Sequence, residues 1–156
     1  FFQAEDGIRY SVASRGLGDV YKRQHQARIA RSGEEVTLIC YGPMVDTCLE
    51  AAKEASQEGR KLEVIDVRSL SPLDMATVYE SVRRTTRAIV VQEAPRTQGV
   101  GAEIAARLGE ELYYVMEAPV LRVTGWSTPY PPAKAEGEHI PDVDRILDAV
   151  DRSLAF

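Results

Sequence analysis

Residues 36–67 read VTLICYGPMVDTCLEAAKEASQEGRKLEVIDV, and this stretch decides the fold class. Its opening, Val36 to Tyr41, is a nearly continuous apolar run, as expected of a strand covered on both faces. Gly42-Pro43 breaks the run, and Pro43 suits the first turn of a helix, where its missing N–H is no loss. Val45, Cys48, Leu49 and Ala52 then fall at i, i+3, i+4 and i+7, which is one apolar stripe, and Gly59 closes the helix. Leu62 to Val67 (LEVIDV) returns to strand. Two apolar strands joined by a helix make the repeating unit of a parallel sheet.

The same alternation continues downstream. Ser71-Pro72-Leu73-Asp74 predicts a helix start, with a hydroxyl cap, proline at the first position and an acid in the first turn. Met75, Val78, Tyr79 and Val82 repeat the stripe, and Arg83 and Arg84 fall in the last turn, where cations suit the helix dipole. Ala88 to Val91 (AIVV) is the third buried strand. A loop from Glu93 to Gly101 leads to a helix with Ile104, Leu108, Leu112 and Val115 on one side. Val120 to Thr124 is the last strand. Thr128 to Pro132 (TPYPP) has three prolines in five residues, so it should run extended over the surface rather than join a ladder. Val143, Ile146, Leu147, Val150 and Leu154 form an amphipathic C-terminal helix, and Arg28 to Arg31 is a weak additional strand. Strands alternating with helices imply a mostly parallel sheet with helices on both faces.

Composition excludes several function classes. The 156 residues are 44% hydrophobic and 28% charged, a globular balance with no apolar run long enough to span a membrane. The net charge of -5 and the absence of a basic stripe speak against nucleic acid as a partner. Two cysteines, Cys40 and Cys48, make neither a disulfide framework nor a metal or redox motif, and both read as small core residues. Residues 1–24 show no helical or strand periodicity and are not a signal peptide. They resemble translated sequencing-adapter DNA, so the chain divides into a non-native extension, 1–24, and one folded domain, 25–156.

In such a sheet, ligands bind beyond the carboxyl ends of the strands. Asp66 and Arg68 end the second strand, and Glu93 and Arg96 follow the third. Glu93 with Arg68 or Arg96 reads first as an ion pair that orders the loop, and second as a functional acid in a cleft. Gly99-Val100-Gly101 precedes a helix, which is an anion site in principle. However, Ile104 stands where a dinucleotide fingerprint needs a third small residue, so close backbone packing is the favoured reading. His139 reads as a surface residue. Tyr113, Tyr114 and Trp126 read as either core or an exposed contact surface, and Glu110, Glu111 and Glu117 as a solvated helix face. These residues supply no nucleophile–base pair, metal cluster or cofactor loop, so no catalytic, cofactor-binding or metal residue is assigned.

The ordered segments EEVTLICYGPMVDTCLEAA, EVIDVRSLSPLD, VVQEAPRTQGVGAEIAARL, APVLRVTGWSTPYPPAK and IPDVDRILDAV resemble the C-terminal domain of the beta subunit of thiamine-diphosphate-dependent 2-oxo acid dehydrogenases. The TPYPP segment looks more like the branched-chain (2-oxoisovalerate) type than the pyruvate type. The resemblance implies a transketolase C-terminal-like, three-layer α/β/α fold. Its five-stranded sheet is mixed and mostly parallel, with an antiparallel first strand that promotes Arg28–Arg31. It further implies a cytoplasmic α2β2 assembly with an alpha subunit and a second beta subunit, docked to a dihydrolipoyl acyltransferase core. Thiamine diphosphate and magnesium would be held between the alpha subunit and a preceding domain of beta, so this chain alone is expected to bind neither. Arg68, Glu93, Arg96, Gly99 and Gly101 then become interface or loop-ordering residues. Two alternatives remain open. One is a transketolase or deoxyxylulose-phosphate synthase relative, in which the Gly99 loop or Arg96 meets a sugar phosphate. The other is a free-standing α/β interaction module.

Overall fold

The computed structural model describes residues 25–97 and 99–156; the reading of residues 1–24 as an extension lies outside the described residues. In chain order the strands and helices are β1 (Arg28–Arg31), β2 (Val36–Cys40), α1 (Met44–Gln57), β3 (Leu62–Asp66), α2 (Met75–Thr85) and β4 (Ala88–Pro95). They continue with α3 (Val100–Leu112), β5 (Leu121–Gly125), a short helix α4 (Glu136–His139) and α5 (Val143–Leu154). The five strands form one sheet in the order β1-β3-β2-β4-β5. β1 pairs antiparallel with β3, and the other pairings are parallel.

The alternation of side chains along the strands builds the three layers. Val36, Leu38 and Cys40 of β2, with Leu62, Val64, Ile89 and Val91, face α1 and α5. Ile39, Ile65, Ala88 and Val90 face α2 and α3, whose Val78, Val82, Ile104 and Leu108 are fully buried. β2 is central, and all five of its residues are buried, which is why it reads as apolar without alternation.

Two helix ends refine the sequence expectations. Gly59 follows α1 with φ +81°, the left-handed conformation that closes helices. The start of α2 is a correction. Ser71 lies outside the helix, and the cap is Asp74, whose Oδ1 accepts from Thr77 N at 3.2 Å. Asp74 Oδ2 also accepts from Thr77 Oγ1 (2.7 Å) and from Ala27 N (2.9 Å), so it ties the entry to β1 onto α2 as well. Burial raises the Asp74 pKa, but the hydrogen bonds from Thr77, Ala27 and Ala76 outweigh it and hold the carboxyl below its ordinary value.

Beneath the last turn of α2 lies a buried carboxylate. Glu63 of β3 alternates inward, its side chain is 1% exposed, and Arg84 Nη2 reaches it at 2.6 Å. Thr37 Oγ1 donates to it at 3.2 Å. Arg83, one residue earlier, pairs with Glu111 in solvent. Replacing Arg84 with Met strands a buried charge and should destabilise the chain by about 3 kcal/mol in denaturant unfolding, whereas Arg83→Met should cost about 0–1 kcal/mol.

The lowered Asp74 pKa contributes stability that is fully present above the ordinary carboxylate value of 3.8 and is lost as the pH falls through the lower folded value. Asp74→Asn should therefore be less stable than the unaltered chain at neutral pH. The gap should close on acidification, as read from denaturation midpoints across pH 2–7.

Candidate functional site

The carboxyl ends of β2, β3, β4 and β5 lie along one edge of the sheet and bring together Tyr41, Arg68, Gln92, Glu93 and Gly125. Gln92 is fully buried at the centre. Its Nε2 donates to Ala94 O (3.2 Å) and Pro95 O (3.0 Å), and its Oε1 accepts from Gly101 N (2.7 Å) and Tyr41 OH (3.4 Å). Sequence reading missed Gln92. The available signal was its phase: it follows Ala88 and Val90 on the inward-facing alternation of an otherwise apolar run.

Gln92 also explains the Gly99-Val100-Gly101 segment. A Cβ at Gly99 would overlap the Gln92 amide and lie 2.9 Å from Pro95 O, and one at Gly101 would lie 2.6 Å from Gln92 Oε1 and 2.9 Å from Val90. The glycines let the start of α3 settle onto a side-chain amide that already occupies the Gly101 N–H. The intervening loop is shorter than the sequence indicated, because β4 continues to Pro95 through an irregularity after Gln92 and pairs Pro95 with Gly125.

Among the described residues Glu93 forms no ion pair with Arg96. Arg96 Nη1 donates to Arg122 O at 3.5 Å, and Arg122 Nη1 donates to Arg96 O at 3.1 Å. The continuation of β4 carries Arg96 to the β5 side of the sheet. Arg68 adopts φ +59°, with its N–H donating to Asp66 Oδ1 at 3.1 Å and its Nε to Gln26 O at 2.8 Å. Asp66 Oδ2 accepts from Arg28 of β1 at 3.3 Å.

His139 is a second correction, since it is 5% exposed rather than on the surface. It ends α4 under the Tyr130 ring (5.2 Å between centroids), and a Cβ on Gly125 would lie 3.1 Å from its Nε2. Tyr130 OH donates to Glu136, and that hydrogen bond, with the negative charge around it, pushes the Tyr130 pKa up to about 12. Burial, and then the charge of Glu93, pushes Tyr41 up as well. Both phenols are therefore protonated donors at neutral pH. Cys40 and Cys48 are fully buried; a hydrogen bond between the Cys40 thiol and Cys48, and then burial, push the Cys40 thiol far up, away from the reactive thiolate.

Tyr113 and Tyr114 are 73% and 97% exposed, and Trp126 is 54% exposed, so these aromatics belong to the surface rather than the core. α3 stops at Leu112, which places Val115 and Glu117 beyond the helix. Glu117 pairs with Arg87 at 2.5 Å instead of lying on a helix face.

The residues present do not fit a magnesium-bound diphosphate. Among the described residues no three His, Cys, Asp or Glu side chains converge as a metal site requires, and at the start of α3 the Gly101 N–H is taken up by Gln92 and the Ala102 N–H by Gly99 O. No described helix is long and apolar enough to cross a membrane.

The model of the family "Transketolase, C-terminal domain" matches residues 25–146. The chain belongs to that family. This transketolase C-terminal domain is homologous to beta subunits of 2-oxo acid dehydrogenases. It is 54% identical over 132 residues to a pyruvate dehydrogenase E1 component subunit beta from Leifsonia xyli, covering 85% of this chain and 39% of the relative. It is 50% identical over 129 residues to a 3-methyl-2-oxobutanoate dehydrogenase subunit beta from Mycobacterium tuberculosis, covering 82% of this chain and 37% of the relative. Among solved structures, a split-gene transketolase described as an inactive beta4 tetramer superposes with TM-score 0.73 and 29% identity, covering 84% of this chain and 42% of that one. The chain thus spans about two fifths of the length of these proteins.

The packing of this transketolase C-terminal domain around Gln92 and Gly125 separates its glycines into two groups. Gly125→Ala must push against the backbone oxygen of Glu93, whereas a Cβ on Gly109, in the exposed middle of α3, meets open space. Thermal unfolding should show Gly125→Ala destabilised by more than about 2 kcal/mol and Gly109→Ala stabilised by about 0.5–1 kcal/mol.

Proposed function

We propose that this chain is the C-terminal assembly and docking domain of the beta subunit of a thiamine-diphosphate-dependent 2-oxo acid dehydrogenase. The observation that carries this reading is the 54% identity to a pyruvate dehydrogenase beta subunit, sustained over 132 residues. In the complete enzyme the 2-oxo acid would be decarboxylated and its acyl group passed to lipoamide, in an α2β2 assembly docked to a dihydrolipoyl acyltransferase core. The hard chemistry would be supplied by thiamine diphosphate and magnesium held outside this domain.

Within that assembly this chain's own residues bind and position. The exposed Tyr113-Tyr114 pair, Trp126, Tyr130 and Phe156 are large aromatics of the kind that dominate protein contacts. Arg68, Glu93 and Arg96, with the backbone that Gly99 and Gly101 hold against Gln92, would order the edge that meets neighbouring subunits. The substrate is assigned to the class of branched-chain 2-oxo acid or pyruvate. Identities of 54% and 50% to beta subunits of the two types do not separate them, although the TPYPP segment favours the branched-chain type.

A chimera tests the reading. Residues 25–156 would replace the C-terminal two fifths of the Leifsonia xyli beta subunit, which is then co-expressed with its alpha subunit. The chimera should assemble with the alpha subunit and decarboxylate a 2-oxo acid. The 156-residue chain supplied with thiamine diphosphate, magnesium and either substrate should not. Turnover by the chain alone, or a folded chimera that fails to assemble, would refute the proposal.

A further inference from the structure

Among the described residues β5 is an edge strand, and carbonyls along it are occupied by arginines. Arg96 Nη1 donates to Arg122 O, and Arg145 Nη2, from α5, donates to Thr124 O at 2.6 Å. Carbonyls two residues apart on a strand lie ~7 Å from one another, so two guanidinium groups are anchored side by side along this edge. Arg122 contributes a third, bonded to Arg96 O. Together with Trp126 they line a groove of about 610 Å³ between β5 and α5.

The charge in this groove is unbalanced. Among the described residues none of Arg96, Arg122 and Arg145 has a carboxylate within ion-pair distance, whereas Arg152 on the far wall is paired with Asp148 at 3.8 Å. Asp144 is the remaining acid of the lining. Three cations against one carboxylate leave room for two negative charges. Independently, Arg145 Nη1 is buried and has no hydrogen-bond partner among the described residues. A buried donor in that state calls for an acceptor, and planar guanidinium forks match phosphate oxygens in particular.

We propose that this groove binds a small phosphate-bearing ligand, a compact dianion held by Arg96, Arg122 and Arg145. A phosphate monoester carries roughly -1.5 to -2 at neutral pH, which matches the excess charge. The site is distinct from the Gly99–Gly101 segment, which Gln92 closes. It does not depend on the function proposed above.

Trp126 is the chain's single tryptophan, and the Arg145 Cζ sits 4.6 Å from its ring centroid, so indole fluorescence reports directly on the groove. The full chain is titrated with inorganic phosphate, with sodium chloride holding the ionic strength constant. The expected result is a saturable emission change whose midpoint rises at least tenfold in Arg122→Met and stays within twofold in Arg83→Met, whose side chain pairs with Glu111 away from the groove. Arg122→Lys keeps the charge without the fork and should raise the midpoint several-fold; it serves as the test if far-UV circular dichroism shows Arg122→Met unfolded. Succinate should bind more weakly than phosphate. A non-saturable change, an equal response to chloride, an unmoved midpoint in the Arg122 variants, or a response to succinate alone would overturn the proposal.

Discussion

The side-chain amide of Gln92 is buried in a sheet that leaves no water to satisfy it, so its two donors and its acceptor oxygen must find partners inside the protein. They find four: Ala94 O, Pro95 O, Gly101 N and Tyr41 OH. Those partners come from the end of β4, the start of α3 and the end of β2. One amide therefore fixes where the strand bends, how the following helix is seated, and why the residues facing it at 99 and 101 have no side chain. Losing it would leave the buried Gly101 N–H and its neighbouring carbonyls unpaired, at about 1–3 kcal/mol for each group. The bend after Gln92 in turn sends Arg96 towards β5 and brings Gly125 against the backbone of Glu93. Much of the carboxyl edge follows from that one buried amide.

The two outer strands meet the problem of unpaired sheet edges in different ways. β1 closes one side antiparallel to β3, and Arg28 reaches Asp66 at the end of that neighbour. Arg68, in the left-handed conformation next to Asp66, reaches back to Gln26 and holds the segment that leads into β1. On the other side, no further strand pairs with β5 among the described residues. Arg96 and Arg145 lay guanidinium donors on its outer carbonyls, which denies those acceptors to an incoming chain. This protection concentrates positive charge along the strand, and the groove beside it inherits that charge.

The layers were legible because the inner strands β2, β3 and β4 are buried on both faces and each long helix on one, and these leave different periods in the sequence. Val36–Cys40 and the stripe through Val45, Cys48 and Ala52 needed nothing else. β1 was nearly invisible because an exposed four-residue edge strand, RIAR, carries no apolar run, and the family resemblance supplied it. Ser71 was mistaken for the α2 cap because spacing alone cannot distinguish it from Asp74. What decides the cap is the reach from Asp74 both to Thr77, in the helix it starts, and to Ala27, which is 47 positions away in sequence and meets it only in the fold. His139 was misplaced for a similar reason: its neighbours in sequence are polar, while Tyr130 and Gly125, which cover it, arrive from β5 and the chain that follows. At the candidate site the sequence offered Arg68 or Arg96 as a partner for Glu93; the Arg96 pairing does not form because β4 bends after Gln92 and carries Arg96 to β5, a bend that depends on contacts made only in the fold.

The chemistry of the edge bears on what such a domain contributes. Tyr41 and Tyr130 are both held protonated, the Cys40 thiol is driven away from its thiolate, and the buried Glu63 is committed to Arg84. General acid–base work at neutral pH needs a group balanced between its two protonation states, and nucleophilic work needs an accessible anion. These groups are fixed in one state or enclosed. Their hydrogen bonds join neighbouring elements, Tyr41 to Gln92, Cys40 to Ile65 O and Glu63 to Arg84, so these polar residues act as joints. Among the described residues, large aromatics stand exposed and arginines line the β5 groove, side-chain types that recognise surfaces and anions. A domain with that distribution offers rigidity and recognition, and this is the physical ground on which the proposed assembly role rests.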